Sequence, residues 1–257
     1  MSKKNALIIG IANESSISAG IAQELFDQGY QIYATYLNEK SLPYVKKVTD
    51  KFNSPVLFPF KVGNKENLWA IVDYFKENQK KIDVFIHGIA FASEIKKELH
   101  EVSWKSFKDA TRISAFSLIE ITQELIKNDV LNLGSSILTI SYRGSQVAIE
   151  GYNMMGPVKN ILEELVRGLA SEIGMKGIRV NAISPGPIMT RAASGINDFD
   201  KLIQAAKDTS PLGRTASLED IGKLALGIIE NQSMTGTVNL IDCGESVSFT
   251  LSHHGES

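Results

Sequence analysis

Cysteine occurs once in the 257 residues, at Cys243, so no disulfide can form within the chain and stability must come from an apolar core. Excess charge is equally scarce. Against 29 acidic side chains stand 27 basic ones, a net charge of −2 that offers a nucleic-acid partner no bulk attraction. No apolar run approaches the ~20 residues of a membrane span. The short run Ala6–Ala12 stops at Asn13 and Glu14 with no small-residue cleavage segment behind it, so it reads as a first strand rather than a leader, and a cytoplasmic protein is expected. The four histidines (His87, His100, His253 and His254) have no donor spacing suited to a metal, so no metal site is expected. Low-complexity tracts, internal repeats and Pro/Gly/Ser-rich linkers are absent too, which leaves one domain over residues 1–257.

What the chain does have is apolar residues, 43% of the total, arranged in a repeating order. Short apolar runs at Ala6–Gly10, Gln31–Tyr36, Val56–Phe60, Ile82–His87, Ser136–Ser141, Arg179–Ser184 and Thr237–Asp242 read as strands. Most lack polar alternation, as befits a parallel sheet covered on both faces. Between them, helical periodicity predicts helices near Ile17–Gln28, Pro43–Lys51, Lys65–Asn78, Trp104–Asn128, Asn153–Met175 and Leu218–Asn231. The alternation predicts an α/β fold: a doubly wound, Rossmann-type, seven-stranded parallel sheet with helices on both faces. The segment from about 185 to 214 breaks the alternation and is the expected cover of a site.

In such a sheet the ligand sits beyond the carboxyl ends of the strands. At the first of these ends Gly10 closes a strand and a helix opens near Ser16, whose free N–H groups suit a pyrophosphate as well as a plain turn. Gly20 would let that helix approach the sheet. At the second strand end Glu39 suits the ribose hydroxyl of NADH, while Lys40 keeps NADPH open. Farther on, Tyr152 and Lys159 stand seven residues apart, close to two helical turns, which would put them on one helix face. An ammonium beside a phenol would lower its pKa and make it a usable proton donor or oxyanion stabiliser. A surface Tyr and Lys at a common spacing fits the same string. Ser141 and Tyr142, closing an apolar strand just upstream, place a second tyrosine at the same edge.

Taken together these residues carry a family resemblance. The ordered set consists of Gly10-x5-Ser16-Ile17-x2-Gly20, His87-Gly-Ile-Ala-Phe-Ala92, Ser141-Tyr142-x-Gly144, Tyr152-x6-Lys159, Arg179 to Thr190, and Ala193 to Phe199. It resembles the enoyl-acyl-carrier-protein reductases of bacterial fatty-acid synthesis, a divergent branch of the short-chain dehydrogenase/reductase superfamily, from about Asn5 to Val247. The resemblance implies an NADH-dependent reductase that transfers hydride to the β-carbon of a trans-2-enoyl thioester on acyl carrier protein. It further implies that Gly10, Ser16 and Ile17 contact the pyrophosphate, Val62 packs on adenine and Ile89 lines the cofactor groove. Lys159 would bind the nicotinamide ribose, and Ile188, Thr190 and Ala192 would flank the nicotinamide and its phosphate. Ala92 would meet the acyl thioester, Tyr152 would stabilise the enolate, and Tyr142 would be the second active-site tyrosine. A homotetramer built on the long helices is the implied assembly.

Departures from the family pattern bear on these expectations. Lys61 replaces an aspartate that contacts adenine, and Asp200 stands where the family carries a base for docking an acidic carrier. Cys243-Gly-Glu245 replaces a Gly-Gly-Phe ending. Pro157 lies inside the expected catalytic helix, just past its first turn. A short-chain carbonyl reductase and a catalytically silent NAD-binding paralogue are the alternative readings, the second opposed by the retention of Tyr142, Tyr152 and Lys159.

Overall fold

The computed structural model describes residues 3–54, 56–190 and 199–248. Seven strands, β1 (Asn5–Ile9), β2 (Gln31–Tyr36), β3 (Leu57–Pro59), β4 (Ile82–His87), β5 (Leu131–Ile140), β6 (Arg179–Pro185) and β7 (Val238–Ile241), run in parallel. Their order is β3-β2-β1-β4-β5-β6-β7, so the winding reverses between β1 and β4. Successive side chains of a strand point to opposite faces. Leu7 and Ile9 therefore enter one buried cluster with Phe85, while Ala6 and Ile8 enter the other with Val84 and Ile86.

Each cluster is closed by helices. On the second face lie α1 (Ile17–Asp27), α2 (Leu42–Thr49) and α8 (Leu218–Glu230), contributing Ile21, Leu25, Val45, Ile221 and Ile228. On the first lie α3 (Lys65–Glu77), α4 (Trp104–Thr111), α5 (Ser117–Lys127) and α6 (Met155–Ile173), contributing Ile71, Phe75, Leu118, Leu162 and Val166. Burying one such side chain is worth ~1.5–3 kcal/mol, so the two clusters, rather than surface ion pairs, hold the sheet. The remaining helix, α7 (Phe199–Thr209), precedes α8 in the chain.

Four expectations change. The long helix expected over Trp104–Asn128 contains a π-helical turn at Arg112–Phe116 between α4 and α5. There Ser114 Oγ accepts from the Phe91 N–H at 2.9 Å and donates to the Phe91 carbonyl at 3.1 Å. Gly20 faces a helix instead of the sheet: a Cβ on it would lie 2.8 Å from Leu218 Cβ of α8, so this glycine permits close α1–α8 packing. β3 is shorter than Val56–Phe60 and ends on Pro59, which has no N–H to pair, as an edge strand tolerates. Finally, α6 starts at Met155, so Pro157 sits within its first turn, where a missing N–H costs no intrahelical bond.

Candidate active site

The crevice floor forms where β1 and β4 part. Gly10 has φ +113°, and a Cβ there would lie 2.1 Å from the Gly88 carbonyl oxygen. A Cβ on Gly88 would in turn lie 2.0 Å from Ser18 Oγ of α1. With no side chains between them, the ends of β1 and β4 and the start of α1 draw together, and the Gly88 N–H donates to the Ile9 carbonyl at 2.8 Å. Ser16 precedes α1 in extended backbone, but its hydroxyl donates to the Asn13 carbonyl at 2.7 Å and leaves α1 without a side-chain cap. The first-turn N–H groups and the positive end of the helix dipole thus stand beside a glycine cradle, an arrangement that fits a dinucleotide pyrophosphate.

Beside this floor opens a cleft of about 330 Å3. It brings together Ile17, Ala92, Tyr142, Tyr152, Lys159, Ile188 and Thr190 from the predicted site, with Phe91, Ile95 and Met155 adding apolar wall. Gly10, Ser16, Ile89 and Val62 do not line it; they stand along the carboxyl edge, after β1, before α1, after β4 and after β3. Ala192 lies outside the described residues, as do residues 191–198 of the expected cover. Lys61 and Glu39 are both exposed, and the Lys61 N–H donates to Asn67 Oδ1 at 3.1 Å. A second cavity of about 390 Å3, against Lys81, Asp129 and Lys176 at the opposite edge of the sheet, contains none of the predicted site residues. Among the described residues no group of three or more His, Cys, Asp and Glu could hold a metal.

Tyr152 and Lys159 line the same cleft, but not from one helix face. Gly151 (φ +74°) and Asn153 (φ +41°) put left-handed backbone on either side of Tyr152, which therefore lies in a turn ahead of α6 while Lys159 lies inside it. Tyr142 packs its ring edge-on against Tyr152 at 4.7 Å between centroids. Gly144 makes room for this: a Cβ on it would lie 2.4 Å from the Tyr152 ring. Lys159 is 5% exposed and its ammonium donates to the Ile140 carbonyl at 2.6 Å.

The expected lowering of the phenol pKa is reversed. Surrounding protein raises Tyr152 far above the ordinary tyrosine range, with a further push from Tyr142, because a tyrosinate there would lose its water. Tyr142 is pushed up to about 12, chiefly by burial and then by the charge of Glu245. Burial brings Lys159 down to about 8, opposed by the negative charge of Glu163. The cleft therefore offers a neutral phenol that donates a hydrogen bond, beside a lysine poised near neutrality.

Two site residues were missed in the sequence. Glu163, one turn beyond Lys159 in α6 and 3% exposed, accepts from the hydroxyls of Ser141 and Ser145, each at 2.6 Å. A polar residue four positions past a lysine signals only a helix-surface pair, so its burial was hidden. His87 is fully buried at the end of β4, its ring nitrogens 2.9 Å from Thr139 Oγ1 and 2.7 Å from Ser117 Oγ. Desolvation first, and then the charge of Lys159, depress it from 6.5 to about 3. Neutral His87 thus contributes stability that is whole above pH 6.5 and is lost as pH falls toward 3. By pH 4 this loss should reach about 3 kcal/mol. His87→Gln should flatten the acid limb of urea-unfolding free energy by that amount relative to wild type. Parallel limbs would contradict it.

The sequence model of the family described as Enoyl-(Acyl carrier protein) reductase matches residues 10–246. The chain is 37% identical to an enoyl-[acyl-carrier-protein] reductase [NADH] 2 of Rhizobium meliloti, over 96% of this chain and 93% of that one. Among solved structures, the Aquifex aeolicus enoyl-[acyl-carrier-protein] reductase (NADH) superposes with a TM-score of 0.91 at 34% identity, covering 96% of this chain and 98% of that one. The Anaplasma phagocytophilum reductase, solved in complex with NAD, gives 0.91 at 34% identity, with 98% and 97% covered. The chain belongs to the enoyl-(acyl carrier protein) reductase family.

Proposed function

We propose that the chain reduces the double bond of a trans-2-enoyl thioester at the cleft that holds Tyr142, Tyr152 and Lys159. The observation that carries this reading is the joining of two tyrosines and a buried lysine to a glycine cradle at the switch of the sheet. Gly10, Ser16, Ile17, Ile89 and Val62 would hold NADH, which when bound would supply the hydride to the β-carbon. Hydride addition places negative charge on the thioester oxygen. The neutral Tyr152 phenol donates to that oxygen, and the Lys159 ammonium adds a positive field while holding the ribose hydroxyls. Ile188 and Thr190, which line the cleft, would flank the nicotinamide. Ala92, with Phe91 and Ile95, forms the apolar wall for the acyl chain and keeps water from the developing enolate.

The protein works as a single domain, with Pro185 to Ile188 and Thr190 lining the cleft and the long helical stretches α4 to α5 and α6 joining four copies. No helix of the described residues is long and apolar enough to cross a membrane, in keeping with a cytoplasmic enzyme. The carrier is acyl carrier protein, docked beside α7, where exposed Asp200 is followed by Lys201 and Lys207. Supplying one enoyl chain on acyl carrier protein and on CoA tests this. The carrier-protein thioester should give the higher kcat/KM, with the advantage shrinking as salt rises. Equal values at low salt would remove the carrier protein from the proposal.

A further inference from the structure

We propose that Glu163 is a positioning residue for the reductase site, tying the Tyr142-bearing segment to α6 and supplying the counter-charge to Lys159. The proposal rests on the function proposed above. Its geometry is specific. Glu163 Oε1 accepts from Ser141 Oγ and from Ser145 Oγ, both at 2.6 Å, so one buried oxygen fastens the end of β5 and the turn that follows it. Three features of the site lie between or beside those two serines. The Ile140 carbonyl receives the Lys159 ammonium. Tyr142 packs on Tyr152. Gly144 makes room for the Tyr152 ring, and its carbonyl oxygen would lie 2.7 Å from a Cβ on Gly156 of α6.

A serine or an apolar residue at 163 could satisfy packing. A carboxylate adds charge, and charge buried at 3% exposure needs a partner. The groups around it identify that partner. His87 on β4 is held neutral by burial, and the phenols of Tyr142 and Tyr152 are held neutral as well. Arg143 is paired with Glu245 at 2.8 Å. Among the described residues around it, Lys159, one helical turn before Glu163, is the cation that remains for it, and the charge of Glu163 favours the ammonium against desolvation.

Glu163→Gln keeps an oxygen that accepts from both serines and removes only the charge. NADH affinity, read by cofactor fluorescence across pH, should weaken in the wild type as Lys159 loses its proton. In Glu163→Gln the weakening should begin at least about one pH unit lower, and the alkaline limb of kcat should move with it. Ser141→Ala with Ser145→Ala keeps the charge and cuts the ties, so it should lower kcat with the pH limb in place. Glu163→Asp moves the charge back by one methylene and should shift the limb less, in the same direction; it decides the matter if Glu163→Gln does not fold. A wild-type pH dependence of NADH binding in both Glu163 variants would overturn the proposal. The binding measurement needs no enoyl substrate, so a wild type that binds NADH but reduces no enoyl thioester would sink the proposed function and leave this test standing. A wild type that binds no NADH would overturn both.

Discussion

Tyr152→Phe is expected to lower kcat by about 10²–10³-fold, the usual cost of removing one donor to a developing oxyanion, while NADH binds as before. The substitution keeps the ring, so the edge-on contact with Tyr142 and the packing on Gly144 persist. Only the O–H is lost. Because burial holds the phenol neutral well above the ordinary tyrosine range, wild-type activity should show no tyrosinate limb up to pH ~10. That separates a hydrogen-bond donor from the depressed-pKa acid that the neighbouring lysine first suggests. Steady-state kinetics paired with NADH titration check both halves. A kcat within tenfold of wild type, or a parallel loss of NADH affinity, would remove Tyr152 from the chemistry.

Gly10→Ala should be strongly damaging for a single added methyl. Two costs coincide there. The φ of +113° disfavours any side chain, and the added Cβ would meet the Gly88 carbonyl oxygen at 2.1 Å, a backbone atom with nowhere to go. Left-handed backbone costs ~1–2 kcal/mol and overpacking a further ~1–3 kcal/mol, against a domain stability of about 5–15 kcal/mol. Moving the floor should also weaken NADH binding by at least about tenfold, since the cradle no longer presents bare backbone to a pyrophosphate. Gly29→Ala is the control: its φ is +84°, but nothing lies within 4 Å of the added Cβ. It should cost only the backbone share, with NADH affinity unchanged. Urea unfolding and NADH titration of both variants separate strain from collision. Similar losses in the two would contradict the collision at Gly88.

Much of this architecture is legible in the sequence because it depends on periodicity. Runs such as Ala6–Ile9 and Val84–Ile86 bury on both faces, which only a covered parallel sheet explains, and their alternation with helices dictates the winding. The site was legible as a set of residue types in order. Its local geometry was not. A spacing of seven between Tyr152 and Lys159 suggests two turns of helix, yet left-handed backbone at Gly151 and Asn153 brings Tyr152 to the cleft from a turn. The direction of the Tyr152 shift was missed because charge proximity can be guessed from spacing, whereas desolvation depends on everything packed around the group. Glu163 and His87 escaped for the same reason: nothing in a linear string distinguishes a buried polar side chain from a solvated one. Gly20 was recognised as a close-approach position, but its partner, Leu218, lies almost two hundred residues away in the chain and is brought to it only by the packing of α8 on α1.

The central claim is that this cleft carries hydride from NADH to the β-carbon of an enoyl thioester. The most direct measurement uses NADH deuterated at its transferable position with a trans-2-enoyl thioester on acyl carrier protein, followed by mass spectrometry of the saturated product. A single deuterium at the β-carbon is the predicted result, with none at the α-carbon, which takes its hydrogen from solvent. A saturated product without label, or NADH left unconsumed beside intact substrate, would contradict the account.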